Sequence, residues 1–273
     1  MSMKFNNYNN VRSNGEIIIS CKSNGIRTEL DKLRQSGSLK CLFPNTTKNE
    51  IQAVLLNCSG GLTGGDHFKF SAFAEKHSIL TLTSQTAERI YCALENEKSI
   101  INNELNVSSN AKINWLPQET ILFEGSSLKR CLTVNLEKNA ELLLSESIVF
   151  GRLEMGEILS SIKFEDRINI YRSNKPIFVE SVQMKGNIER MLERSAVTCG
   201  AKAVSLLIYI APDAEIQLRN LRRLLPQKAG ASLLHKDVIV VRLIADNSYE
   251  MRVSLLPILD QLTHKGIPKC WNI

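Results

Sequence analysis

Over its first two thirds the chain is written in short stretches of alternating apolar and polar residues. HFKFSAFA (67–74) sets Phe68, Phe70 and Ala72 to one side, and SILTLTS (78–84) places threonines opposite leucines. KINWL, CLTVNLE, IKFEDRINIYR and PIFVESVQM read the same way. Successive side chains of a strand point to opposite faces, so a period of two makes each stretch a half-buried β-strand. The joints carry Asn, Ser, Gly and Lys, as in SSNAK and SNKP, residues that accept the backbone of tight turns. Strands that recur roughly every ten residues, with no helical period between them, imply an antiparallel or helically wound β architecture and not βαβ units. No fixed long repeat is visible by inspection, and no linker divides the chain. The expectation is one domain over 1–273, β-rich over 1–200 and mixed α/β over 201–273.

Helical periodicity enters late. PDAEIQLRNLRRLL (212–225) has Asp213 at an N-cap position and Leu218, Leu221 and Leu225 on one face. NSYEMRVSLLPILDQL (247–262) opens with Asn247 and Glu250 in capping-box spacing and carries Met251, Leu255, Leu259 and Leu262 as one stripe. Pro257 is expected to kink that helix, and Gly266 with Pro268 to end it. Such stripes either pack into a core or, on terminal helices, form docking ridges. Leu218, Leu221 and Arg222 are the candidate partner-binding residues.

Composition narrows the function. The net charge of +6 over 273 residues is mild and scattered. Aromatic content is 6%, with no basic stripe interleaved with aromatics, which argues against nucleic-acid binding. The seven cysteines are widely spaced with no C-x-x-C pair, which fits a reducing compartment better than a disulfide framework or zinc ribbon. The N-terminus, MSMKFNNYNNVRSNGE, lacks the apolar core of a signal peptide. The apolar runs AVSLLIYIA and VIVV are too short to span a bilayer, so a cytoplasmic protein with no membrane partner is expected.

LLNCSGGLTGGDHF (55–68) is the densest motif, with Gly60, Gly61, Gly64 and Gly65 followed by Asp66. A phosphate loop needs G-x-x-x-x-G-K-[ST], but Asp66 and His67 stand where the lysine and hydroxyl belong. The strand-like continuation supplies no helix N-terminus either. The glycines then serve as a connection between strands 51–57 and 67–74. The polar rim of Asn57, Cys58, Ser59, Thr63, Asp66 and His67 leaves open a transient contact with a borderline transition metal.

Three further segments stand out: SQTAERIY (84–91), INWLPQETILFEG (113–125) and VFGRLEMGE (149–157). Together with NCSGGLTGGD, and in this order, they resemble the UreD (UreH) family of urease accessory proteins. SGSLKCLFP (36–44) is similar to that family's N-terminal segment, and PKCW (268–271) to its ending. The resemblance covers most of the chain. It implies a mostly β fold, wound in a β-helix-like stack with helices near the C-terminus. It also implies a non-catalytic scaffold that joins UreF and the GTPase UreG, docks on apo-urease and assists nickel insertion. Nickel is then transient cargo and no permanent cofactor is expected, although family members are thought to hold an internal water-filled path for it. Carried onto this chain, the motif residues are Gly60, Gly61, Gly64, Gly65, Asp66, Gln85, Glu88, Arg89, Trp115, Pro117, Gln118, Glu119, Gly151, Arg152, Gly156 and Glu157. Glu180 and Lys269 depart from the family's usual aspartate and arginine while keeping the charge.

Asp66, Glu88, Glu119 and Glu157 all lie beside strand-like stretches, where a buried carboxylate needs a partner. Ion pairing with Arg89 and Arg152 is one reading. A loose nickel path formed by these four carboxylates is the other. A metal-dependent hydrolase built on Asp66, His67 and Glu119 is the alternative function. A serine or cysteine nucleophile has no support, because no G-x-S-x-G is present and Cys58 has no identifiable base.

Overall fold

The computed structural model describes residues 11–46, 49–152 and 155–272. The polar stretch 1–10, which opens the N-terminal segment without a signal-peptide core, lies outside the described residues, as do Leu153 and Glu154 of VFGRLEMGE. In chain order the strands are β1 (Asn14–Ser23), β2 (Thr28–Gly37), β3 (Leu39–Leu42), β4 (Ile51–Asn57), β5 (His67–Ala74), β6 (Ile79–Ser84), β7 (Glu88–Ile90), β8 (Ser99–Val107) and β9 (Lys112–Leu116). They continue with β10 (Thr120–Leu122), β11 (Ser127–Leu136), β12 (Glu141–Phe150), β13 (Ile162–Arg172) and β14 (Lys175–Gly186). The last part holds α1 (Ile188–Leu192), β15 (Ala203–Ile210), α2 (Ala214–Leu224), β16 (Ala229–His235), β17 (Val238–Ala245) and α3 (Ser248–Leu262).

From β4 to β13 the main chain crosses back and forth between two sheets. One sheet has the order β14-β13-β11-β8-β5-β1-β2, and the other runs β16-β17-β15-β12-β9-β6-β4-β3. β1, β5, β8, β11 and β13 are mutually parallel, as are β4, β6, β9 and β12. Parallel neighbours need a crossover. Here the crossover out of one sheet is a strand of the other, which gives a solenoid-like winding. Antiparallel pairs occur at the ends, where β2 and β14 flank the first sheet and β3 and the β15–β17 group flank the second.

The alternation places one register of each strand between the sheets. Phe68, Phe70 and Ala72 are buried there, with Leu80, Leu82, Leu105, Ile113 and Leu132. β12 and β15 are covered on both faces; β15 reads accordingly as a nearly continuous apolar run, whereas β12 is interrupted by Ser145, Glu146 and Ser147. Their outer residues Leu143, Leu207 and Tyr209 pack with Met251, Leu255, Leu259 and Leu262 of α3, as the stripe predicts.

A repeat hidden in the sequence shows in the turns. His77, Asn110 and Asn139 adopt positive φ at equivalent crossings from the first sheet to the second, and Asn174 does so in the β13–β14 hairpin. Asn and, less often, His tolerate that left-handed region. Asn139 Nδ2 donates to Asn110 Oδ1 at 3.4 Å, and one strand inward Asn135 Nδ2 donates to Asn106 Oδ1 at 2.9 Å.

The helices differ from expectation in detail. Asn247 Oδ1 accepts from Glu250 N at 2.9 Å, so the capping signal of α3 is realised. α3 is a single element through Pro257. Asp213 stands at the N-cap of α2 without capping it. Its carboxylate accepts instead from Tyr209 Oη and Gln217 Nε2, each at 2.8 Å. α1 was not anticipated, since five residues are too few to display a helical period. Leu218 and Leu221 are 7% and 0% exposed in the layer between α2 and the second sheet. Their expected docking role is therefore corrected to core packing, while Arg222 stays on the surface.

Candidate functional site

The four unusual segments prove to be the four connections at one end of the winding, one above another. NCSGGLTGGD joins β4 to β5, SQTAERIY leads into β7, INWLPQETILFEG contains β10, and VFGRLEMGE leaves β12. Backbone bonds stack them. Tyr91 N donates to Leu62 O at 2.7 Å, Phe123 N to Ile90 O at 3.0 Å, and Gly151 N to Leu122 O at 2.9 Å. Leu62, Ile90 and Leu122 are fully buried behind this corner. Gly61 is required by the stacking: its φ is 150°, and a Cβ there would sit 2.6 Å from Arg89 O and 2.4 Å from the Tyr91 ring.

The expected carboxylates share this end of the fold but not one site. Asp66 is 4% exposed, and its two oxygens accept from Ser13 N at 2.7 Å and Thr63 N at 2.8 Å. It ties the glycine loop to the start of β1. Glu157 accepts from Arg152 N at 2.9 Å and Glu124 N at 3.1 Å and pairs with the Arg152 guanidinium at 3.0 Å. Burial opposes its charge, but Arg152 and these amides hold its carboxyl below the usual range. The ion pair read for Arg152 is thus present. Glu119 faces Arg252 at 3.6 Å. Of the four, Glu88 alone lines the cavity at this end.

Glu88 has a different setting. It is half-buried at the mouth of a cavity of about 160 Å³, whose lining includes Asn57, Gln85, Trp115, Gln118 and Glu146. Burial raises its carboxyl to about 7, against hydrogen bonds from Asn57 Nδ2 at 2.9 Å and the Arg89 backbone. The carboxylate is thus poised to exchange a proton near neutrality.

At the inner end of the cavity lies a charge cluster that sequence reading missed. Arg130 Nη1 donates to Glu146 Oε2 at 2.6 Å. Its Nε and Nη2 grip Asp166 Oδ1 and Oδ2 at 2.9 and 2.7 Å. Trp115 Nε1 donates to Glu146 Oε1 at 2.7 Å. Arg130 and Glu146 are 5% and 6% exposed. Burial raises the Glu146 carboxyl, and Arg130 only partly offsets that. Burial disfavours the guanidinium charge too, but Asp166 and Glu146 more than reverse this and hold it protonated. A signal was available in the sequence. Arg130 follows Leu128 and precedes Leu132, Glu146 stands between Leu144 and Ile148, and Asp166 between Phe164 and Ile168. Each is a charge on the inward register of an alternating strand.

Gln118 links this region to the C-terminus. Arg252 donates to Gln118 Oε1 and, at 3.0 Å, to Trp271 O, and its guanidinium lies 5.3 Å from the centre of the Trp271 ring. Trp271 Nε1 donates to Leu116 O at 3.1 Å. The PKCW ending is therefore fastened to the WLPQE segment. The hydrolase constellation is not assembled: both Asp66 oxygens are engaged by backbone amides, His67 is exposed, and Glu119 faces Arg252. Among the described residues, no three His, Cys, Asp or Glu converge in a metal-binding arrangement, and no helix is long and apolar enough to cross a membrane.

The family described as UreD urease accessory protein matches residues 13–272 of this chain. The chain is 46% identical over 255 residues to urease accessory protein UreD of Ruegeria pomeroyi, covering 93% of this chain and 99% of that one. It is 40% identical over 262 residues to the Roseobacter denitrificans protein of the same name, covering 96% of each. The Rhizobium rhizogenes counterpart is 35% identical over 263 residues, again covering 96% of each.

Proposed function

The chain belongs to the UreD family of urease accessory proteins, and from that premise we propose that it is a non-catalytic scaffold for nickel insertion into urease. In this reading it joins UreF and the GTPase UreG, docks with them on apo-urease in the cytoplasm, and gives nickel a sheltered way through its interior. The observation that carries the reading is the cavity that opens beside Glu88 and is lined by motif residues Gln85, Trp115 and Gln118. A carboxylate poised near neutrality can take up a divalent ion and release it again, as transfer requires. Cysteine clusters would retain the ion, whereas here the free thiols are dispersed.

The test is nickel per urease active site, by elemental analysis, after urease subunits and the other accessory proteins are co-expressed with or without this chain. Nickel-filled, active urease only when the chain is present is the expected result. Equal nickel content and activity without it would remove the function from this protein. A second arm carries Glu88→Ala, which is expected to slow nickel filling while leaving the accessory complex assembled.

A further inference from the structure

Beyond the first cavity lies a second, of about 260 Å³, walled by Ile148, Phe150, Phe164, Val182 and Leu206. The two cavities share two lining residues, Arg130 and Glu146. The cluster also joins the sheets: Arg130 comes from β11 and Asp166 from β13 of one sheet, and Glu146 from β12 of the other. The guanidinium thus occupies the neck between two hollow spaces, gripped by a carboxylate from each side. On the wall of the second cavity Arg242 and Glu180 form another such pair, with Nη1 to Oε1 at 2.6 Å.

We infer that Arg130 is a gate between the two cavities, opened when a divalent cation displaces its guanidinium from Glu146 and Asp166. The inference rests on the nickel-passage reading above. Its logic is charge balance in a low dielectric. With both carboxylates ionised, the resting cluster of one guanidinium and two carboxylates carries a net charge of about −1, which is costly to bury. Exchange of the guanidinium for a divalent ion makes the carboxylate site neutral, and the displaced guanidinium can turn toward Glu180 on the wall of the second cavity. Exchange for a monovalent ion leaves the charge unchanged and supplies no drive. The displaced side chain has room in the second cavity, and it returns to the carboxylates once the ion moves on. The resident arginine thereby keeps the carboxylate pair from becoming a permanent metal site, because apparent affinity scales with the fraction of chains whose site is free.

Trp115 provides the reporter, since its indole touches Glu146 and the chain has a second tryptophan only at 271. In a full-length Trp271→Phe background, nickel chloride is titrated against Trp115 fluorescence, with sodium and magnesium as comparison ions. Saturable quenching by nickel is expected, about tenfold or more tighter in Arg130→Met and lost in Glu146→Gln/Asp166→Asn. Arg130→Met leaves two unpaired buried carboxylates, so its melting temperature is followed as well. Nickel is expected to raise it, and to leave that of Arg130→Met/Glu146→Gln/Asp166→Asn unchanged. Equal nickel affinity with and without Arg130, or quenching that survives the double amide change, would overturn the gate while leaving nickel passage standing. No quenching in any variant would overturn both.

Discussion

Asn57 Nδ2 donates to Glu88 Oε1 at 2.9 Å, joining the end of β4 to the start of β7 at the cavity mouth. That bond does not compensate the water removed by burial, and the Glu88 carboxyl stands at about 7 against an ordinary 4.5. Between those values the folded chain holds a proton that the unfolded chain has released, so stability falls as pH rises through the interval. Above the folded value the full cost of burying the anion is present; below the ordinary value it is absent. Glu88→Gln should remove this slope and stabilise the chain at pH 8 by about 1–3 kcal/mol. Urea unfolding of both proteins from pH 4 to pH 8 measures it, and a pH-independent difference between them would refute the assignment.

Asp66 holds the amides of Ser13 and Thr63. Asp66→Ala strands two part-buried donors and should cost about 1–3 kcal/mol, with Asp66→Asn losing roughly half of that. The expected signature is structural: a lower unfolding midpoint, with nickel quenching of Trp115 unchanged. A stability equal to wild type combined with lost quenching would return Asp66 to the ion path.

α2 separates core from surface within one turn. Leu221→Asp places a charge in the fully buried layer against α3 and should destabilise by about 4 kcal/mol or more. Ile216 and Arg222 are exposed, and Ile216→Asp or Arg222→Glu should change stability by no more than about 0.5 kcal/mol. Thermal melts distinguish the two classes. A Leu221→Asp protein as stable as wild type would mean that the leucine does not pack as described.

The thiols divide by burial. Cys58, Cys92 and Cys199 are exposed, whereas burial pushes Cys21 to about 11 and Cys41 to about 12. Since the thiolate is the reactive form, a disulfide reagent at pH 8 should modify the first three in the native state. Cys21 and Cys41 should react only on unfolding, which peptide mapping by mass spectrometry would read. Native-state labelling of Cys41 would contradict its place in the core.

Period-two alternation was enough to read β5, β6, β9, β11, β13 and β14, the inner face of β5, and the lateness of the helices, but not β1, β2, β3 or β8. It does not encode which sheet a strand joins, because parallel and antiparallel neighbours bury the same register. The repeat stayed hidden because it resides in backbone conformation at His77, Asn110 and Asn139, embedded in dissimilar sequence. At the corner, motif composition located the residues but not their roles. Asp66 and Glu157 each accept from one amide of their own loop and one from a distant segment, Ser13 N and Glu124 N, and no local pattern announces the distant donor. Arg130, Glu146 and Asp166 were legible as charges on inward positions, but only once the winding fixes which face is inside.

The winding also constrains how the chain is made. In each sheet, a strand's parallel neighbour arrives only after the chain has visited the opposite sheet, as β8 does between β5 and β11. Such non-local pairing slows folding. A nascent chain leaving the ribosome would carry an unpaired, partly apolar edge at every stage up to β14, and such an edge is an invitation to aggregate. Only with β14, antiparallel to β13, is the growing edge of the first sheet covered, and that of the second waits for β15 on β12. Truncation before Lys175 should therefore yield insoluble material and not a shorter version of the same protein.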